Sequence, residues 1–140
     1  MAVICFTSSF SSVQQKDSWT LLLDRKNIYS GVELNFNQKV PDILISSPAL
    51  KPASILEIEY KEAPTDIKWK RSFVFFDENN NVLARQDFEQ SSGIFSIPAT
   101  VFSKQLKNLK KLKLCAEQNP KNSDMMIRAK KVTIGNIVLQ

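Results

Sequence analysis

Histidine is absent from this chain of 140 residues, and Cys5 and Cys115 are its only cysteines. Histidine is the side chain that most often transfers protons near neutral pH and binds metals, so the chain lacks the usual residue for both roles. A Ser-His-Asp or Cys-His nucleophile also needs an imidazole. A zinc site built from four cysteines and histidines needs more ligands than the chain supplies. The sequence therefore predicts a protein that is not an enzyme and has neither a metal site nor a cofactor.

Glycine and long apolar runs are scarce as well. The chain has 3 glycines, 24% charged residues and 43% hydrophobic residues, a composition typical of one folded domain with a single core. Its longest apolar runs, such as residues 73–76, are as short as a strand, whereas a membrane-spanning helix needs about 20 residues. We therefore predict a soluble domain without a transmembrane segment.

The first fifteen residues differ from the rest of the chain. A short apolar run over residues 2–6 precedes a Ser/Thr-rich stretch, and no charge occurs before Lys16. This pattern is typical of the end of a secretory signal peptide, although the basic start is missing and the apolar run is short. The alternative is an ordinary first strand over residues 3–6. We expect residues 1–15 to be a signal-peptide remnant or a flexible N-terminus, residues 16–140 to form the domain, and the protein to be secreted, periplasmic or on the cell surface.

Alternation of apolar and polar residues is the main pattern from Trp19 onward, and it predicts strands with one buried face. It is clear over residues 32–36 and 56–60. The segment 69–76 becomes apolar on both faces, which is typical of a strand at the centre of a sheet and predicts that Phe73 and Phe75 are core residues.

A hairpin loop is predicted over residues 77–81, because Asp and Asn side chains stabilise turns, and it leads into a strand over residues 82–85. Residues 94–97 and 112–116 have the pattern of further strands. In residues 125–139, also strand-like, Gly135 and Asn136 predict a bulge or a tight turn.

One segment has helical spacing instead. Val101, Phe102, Leu106 and Leu109 recur at this spacing, and Pro98 precedes them, which predicts a short helix over residues 99–108. About eight short strands and one helix favour an all-β, antiparallel β-sandwich of the jelly-roll or immunoglobulin-like kind.

Large aromatic side chains are the first candidate for ligand binding. A flat ring can stack on the apolar face of a sugar, while nearby charged groups bond its hydroxyls. The residues assigned to such a platform are Trp19, Tyr29, Tyr60, Trp69, Arg71 and Asp77. The alternative is that the aromatic residues pack in the core.

The chain as a whole has a formal net charge of +5, and its lysines concentrate in the last third. The predicted basic surface comprises Lys104, Lys107, Lys111, Lys113, Lys130 and Lys131. No aromatic residue follows Phe102 to stack on bases, so a specific nucleic-acid partner is not expected. The lysines then indicate either a solvated face or a weak contact with an anionic surface.

Carboxylates two residues apart, Glu57 with Glu59 and Asp87 with Glu89, share one strand face at about 7 Å. Paired carboxylates across a cleft are what glycoside hydrolysis requires, but the solvent side of an amphipathic strand has the same pattern.

Three functional hypotheses follow from these patterns. The first is a non-catalytic exported β-sandwich module that binds a partner protein or a glycan. The second is a structural or assembly subunit that acts through its sheet edges and its basic surface, and the third is a small carboxylate-dependent hydrolase. Exposed aromatics would favour the binding module, an exposed apolar patch or a free sheet edge would favour the assembly subunit, and a deep acidic pocket would favour the hydrolase.

Overall fold

The computed structural model describes residues 16–35, 37–121 and 129–140, and these form nine strands, one α-helix and two short 3₁₀ turns. The strands are β1 (Ser18–Leu23), β2 (Lys26–Val32), β3 (Asp42–Ile45), β4 (Ile55–Lys61), β5 (Trp69–Phe76), β6 (Val82–Phe88), β7 (Gly93–Pro98), β8 (Lys111–Pro120) and β9 (Lys130–Leu139). The 3₁₀ turns are Ser47–Ala49 and Ala99–Val101, and the helix α1 is Ser103–Leu109.

The strands form two sheets that pack face to face. The four-stranded sheet has the order β2-β1-β4-β7, and the five-stranded sheet has the order β3-β9-β8-β5-β6. All pairs are antiparallel except β3 with β9. The hairpin of β5 and β6 belongs to one sheet, whereas β4 and β7, which flank it in the chain, pair in the other. The predicted all-β, sandwich-like fold with one helix is confirmed.

Strand β5 lies at the centre of the core. Phe73 and Phe75 point between the sheets and are fully buried, as predicted. The ring of Phe73 meets that of Phe95 on β7 edge-on at 5.0 Å between centroids. The ring of Phe75 stacks on that of Phe102, just before α1, at 4.9 Å. Because aromatic pairs of these geometries are favourable, β5 holds both the opposite sheet and the helix segment.

The predicted helix is present in two pieces. The Ala99–Val101 turn and α1 are separated by Phe102, whose φ of −130° interrupts the helical conformation. Phe102 and Leu106 are buried in the core, whereas Leu109, the last residue of the predicted apolar stripe, is 50% exposed. The helix ends at Lys110, which has a left-handed backbone with φ 67° and donates its N–H to the Leu106 carbonyl at 2.7 Å.

The predicted strand over residues 32–36 is wrong in the part that the structure describes. Strand β2 ends at Val32, and residues 33–35 have no regular structure, while Phe36 lies outside the described residues. The N–H of Gln38 bonds the Asn35 carbonyl at 3.1 Å, and the Asn35 N–H bonds the Gln38 side chain. These local bonds favour a turn over a continued ladder.

A bulge lies beside Gly135, where a bulge or tight turn was predicted. Leu114 pairs with Gly135 while Cys115 pairs with Thr133, so Ile134 is the extra residue of β9. A Cβ atom on Gly135 would lie 2.7 Å from the Cδ1 atom of Ile43 and 3.0 Å from the Pro41 carbonyl oxygen. Glycine therefore allows β3 to approach β9 closely.

Two predictions remain, one on the N-terminal residues and one on membrane-spanning segments. The prediction of a leader falls on residues 1–15, which lie outside the described residues. Within the described ranges, no helix combines the length and the apolar character that crossing a membrane requires.

Replacing Phe75 with alanine tests the central packing. Phe75→Ala is expected to lower the free energy of unfolding by about 3–5 kcal/mol, because it removes a fully buried ring and leaves a cavity. The matched control is Ile94→Ala on β7, since Ile94 is 57% exposed and its loss should change stability by less than about 0.5 kcal/mol. Urea unfolding measures both variants, and an unchanged midpoint for Phe75→Ala would contradict the assignment.

Candidate functional site

Trp19, Tyr60, Trp69 and Arg71, predicted to bind a ligand, all lie at one end of the sandwich but in its interior. The rings of Trp19 and Tyr60 stack at 5.6 Å between centroids. The guanidinium carbon of Arg71 lies 3.7 Å from the centroid of the Tyr60 ring. All four side chains are buried. Their position fits the core-packing alternative, because a buried ring presents no open face to a sugar.

The same end of the sandwich contains a group of hydrogen-bonded polar residues, which we call the buried polar cluster. Asp17 is its central acceptor, and its other members are Tyr60, Gln118, Arg71, Glu62 and Ser91. The Asp17 carboxylate accepts hydrogen bonds from the Tyr60 hydroxyl at 2.6 Å, the Gln118 amide at 3.0 Å and the Ala63 N–H at 2.7 Å. Burial raises the pKa of Tyr60 far above its usual value, so its phenol stays protonated and remains a donor. The charge of Asp17 is thus satisfied by neutral donors from both sheets.

Arg71 forms the second half of the cluster. Its Nε atom donates to the Ser91 carbonyl at 2.7 Å, and its Nη2 atom pairs with Glu62 at 3.3 Å. The Ser91 hydroxyl lies 3.1 Å from the other Glu62 oxygen. Burial lowers the pKa of Arg71, while the surrounding groups, Glu62 among them, oppose that shift. Because Arg71 belongs to the five-stranded sheet and Glu62 follows β4 of the other sheet, this pair cross-links the two layers.

Asp77 and Tyr29 do not take part in the hydrogen bonds described for the cluster. The carboxylate of Asp77 accepts the N–H groups of Asn79 and Asn81, each at 2.9 Å, and the side-chain amide of Asn81 at 3.0 Å. The bonds from Asn81 are the main cause that lowers the pKa of Asp77. Asp77 therefore stabilises the predicted hairpin turn. Tyr29, on β2, is half-buried against the core.

The lysines of the predicted basic surface lie on α1, β8 and β9. Lys113 and Lys131 lie on the outer face of the five-stranded sheet, with their Nζ atoms 5.7 Å and 4.1 Å from the Phe76 ring centroid. Lys130 instead pairs with Glu33 at 3.1 Å. The remaining lysines are exposed, on α1 for Lys104 and Lys107 and at the start of β8 for Lys111. Lys111 and Lys113 share one face of β8 and line the same pocket, and the basic surface as a whole stays a prediction.

The two pairs of carboxylates lie on different sheets. Glu57 and Glu59 lie on the outer face of β4, in the four-stranded sheet. Asp87 lies on β6 of the other sheet, where it accepts the Ser72 hydroxyl at 2.6 Å. Glu89 follows the end of β6. Each pair thus remains local to its own strand.

A groove of about 620 Å³ opens at the end of the sandwich opposite the buried polar cluster. It lies between β2 and β3, which are the edge strands of the two sheets. We call it the β2–β3 groove. Its apolar lining consists of Leu23, Ile28, Leu44, Ile45, Pro48 and Ala49. Apolar grooves with a few polar groups are the usual form of binding sites.

Strand β3 supplies the groove with a backbone edge that no other strand in residues 16–35, 37–121 and 129–140 pairs with. The Pro41 and Ile45 carbonyls accept hydrogen bonds from β9 and the residue after it, at 2.8 Å and 2.9 Å. In a parallel pair, alternate residues face the partner strand, so the N–H and C=O groups of Leu44 point away from β9. The Leu44 side chain is 49% exposed as well. An exposed apolar residue on an open edge is a typical point of association.

The groove also carries charge, from Lys26, Lys51 and Asp24. The carboxylate of Asp24 already accepts the Ser54 hydroxyl at 2.7 Å and the Ile55 N–H at 3.0 Å. The Ser54 bond is the main cause that lowers the pKa of Asp24, so this group is ionised at neutral pH. Asp24 therefore stabilises the β1–β2 turn through bonds within the protein.

Sequence reasoning missed this groove. Its walls come from the β1–β2 turn, the end of β3 and the following 3₁₀ turn, which no periodic pattern connects. The one available signal was Leu44, which is an apolar residue at an outward position between Ile43 and Ile45.

Removing the Tyr60 hydroxyl tests the buried polar cluster. Tyr60→Phe is expected to lower the free energy of unfolding by about 1–3 kcal/mol, because the buried Asp17 carboxylate loses a donor. The control is Tyr29→Phe, which removes a hydroxyl from a half-buried ring and should change stability by less than about 0.5 kcal/mol. Equal effects of the two substitutions in urea unfolding would contradict the role of the Tyr60–Asp17 bond.

The reactivity of Cys115 offers a second test. This thiol is fully buried on the outer side of β8, beside Val74 and Phe76, and burial raises its pKa. Because the thiolate is the reactive form, Cys115 in a Cys5→Ser chain should react with a disulfide reagent at neutral pH at least about a hundred times more slowly when folded than in urea. Rapid labelling of the folded chain would contradict the burial.

Comparison with known proteins leaves function to be argued from these features, since the chain matches no protein-family model and no curated protein sequence.

Proposed function

We propose that this protein is a non-catalytic β-sandwich module that binds a segment of a partner protein in the β2–β3 groove. The observation that carries the proposal is the combination of an apolar groove with an edge of β3 that no strand of the described residues pairs with. Leu44 belongs to both features, because it lines the groove and its backbone faces the open edge. A peptide segment can use both at once, through its side chains and its main chain.

A glycan is less well supported as the partner. Stacking on a sugar needs an exposed ring face, and Trp19 and Trp69 are 3% and 7% exposed. The assembly hypothesis shares the open edge with our proposal but makes a second copy of the chain the occupant. Measuring the oligomeric state separates these two protein-binding hypotheses.

The non-catalytic part of the proposal is supported by the absence of histidine from the sequence and by the structural bonds that the buried charged groups make. Asp17 and Arg71 are the most deeply buried charged groups of the described residues. Asp17 is bonded by Gln118 of the five-stranded sheet, and Arg71 of that sheet is paired with Glu62, which follows β4 of the other sheet. The export of the module is a separate proposal, supported by the sequence of residues 1–15.

Peptide selection tests the proposed binding site. We would pan a random peptide library against the full chain, then measure the affinity of the enriched peptides for Leu44→Glu and for Val82→Glu. Val82 is a matched control, because it is 56% exposed on β6, the opposite edge of the same sheet. We expect Leu44→Glu to weaken binding at least about tenfold, since a charge replaces an apolar contact, and Val82→Glu to leave it unchanged.

The proposal fails if the enriched peptides bind Leu44→Glu as tightly as the parent chain, or if Val82→Glu weakens binding equally. Circular dichroism of both variants shows that each retains the β fold. A parent chain that forms dimers, together with a monomeric Leu44→Glu variant, would favour the assembly hypothesis instead.

A further inference from the structure

The backbone of β3 limits how an occupant can lie in the β2–β3 groove. Among the described residues, the Asp42 C=O, both backbone groups of Leu44 and the Ser46 N–H point to the open side and have no partner. The Ser46 carbonyl is used, because it accepts the Ala49 N–H at 3.0 Å. This row of alternating acceptors and donors is what a neighbouring strand needs for pairing. Such a strand would lie about 4.8 Å from β3.

The side chains of the groove favour an alternating occupant. Leu23, Ile28 and Ile45 form apolar surface on the core side, whereas the side chain of Leu44, which alternates with those of Ile43 and Ile45 along β3, is 49% exposed. A strand added to an edge places successive side chains on opposite faces. An occupant paired with β3 therefore buries every second side chain on this surface, which favours apolar residues at those positions and polar ones between them.

The charges of the groove favour an acidic residue in the occupant. Lys26 and Lys51 are exposed cations at the groove, and the ionised Asp24 carboxylate offsets one of them, so these three groups together carry a net charge of +1 (2 − 1). A carboxylate on the occupant meets an attractive surface, and an ammonium group meets a repulsive one.

We infer that the occupant is an extended peptide strand of a partner protein that pairs with the open edge of β3, alternates apolar and polar side chains, and places a carboxylate near Lys26 and Lys51. This inference rests on the proposed function, because it specifies what binds in the same groove.

Defined peptides test each part of the inference. The probe is a fluorescein-labelled peptide of alternating valine and threonine with one central glutamate and with uncharged ends. A second peptide has lysine in place of that glutamate. Two further isomers of the glutamate peptide carry N-methyl groups, one on the valine nitrogens and the other on the threonine nitrogens. Fluorescence anisotropy gives the Kd of each peptide for the full chain, for Leu44→Glu and for Lys26→Glu/Lys51→Glu.

The glutamate peptide is expected to bind the parent chain about fivefold more tightly than the lysine peptide, and the preference should reverse in Lys26→Glu/Lys51→Glu. One N-methyl isomer should bind about tenfold more weakly than the unmethylated peptide, because its methyl groups remove the N–H groups that face β3. The other isomer should bind almost normally, because its methyl groups face away from the β3 edge.

Equal binding of both N-methyl isomers would overturn strand pairing, and equal binding of the glutamate and lysine peptides would overturn the acidic preference. In either case a loss of binding in Leu44→Glu leaves the proposed function standing. Peptide binding that Leu44→Glu does not weaken overturns both. Tighter binding of dodecanoate than of the glutamate peptide, or dimerisation of the chain through Leu44, also overturns the inference.

Discussion

The burial of β5 on both of its faces is the constraint on which the rest of the structure depends. Its inner face carries Phe73 and Phe75, which need the opposite sheet and the helix segment to cover them. Its outer face carries Val74 and Phe76, which are buried with Cys115 beneath lysine side chains. Such a strand is stable only at the centre of a sheet with both sides covered, so its neighbours and the second layer follow from it.

The two ends of the sandwich are closed by different means. At one end the buried polar cluster joins the sheets through Asp17 and Arg71, whose hydrogen bonds reach groups of both layers. At the other end the edge strands β2 and β3 come near each other but belong to different sheets, and apolar side chains such as Leu44 line the groove between them. The end with the buried polar cluster joins the two sheets, and the open end is where we propose that a partner binds.

Much of the fold was predictable because its strands have one buried face. Alternation identified β4 and β8, the doubly apolar run identified β5, and the spacing of Phe102 and Leu106 identified the helix. The prediction for residues 32–36 failed because bonds between Asn35 and Gln38 end the strand pattern early. The binding site was not predictable, because alternation cannot distinguish a core tryptophan from an exposed one and does not show which edges meet in space.

The central claim is that the edge of β3 is open and receives a partner strand. Amide hydrogen exchange, measured residue by residue by NMR with and without a selected peptide, tests it most directly. In the free chain the Leu44 amide should exchange quickly and the Ile43 and Ile45 amides slowly, because the latter face β9, and added peptide should protect Leu44. A Leu44 amide that is already protected in the free chain, or that a bound peptide leaves unprotected, would contradict the account.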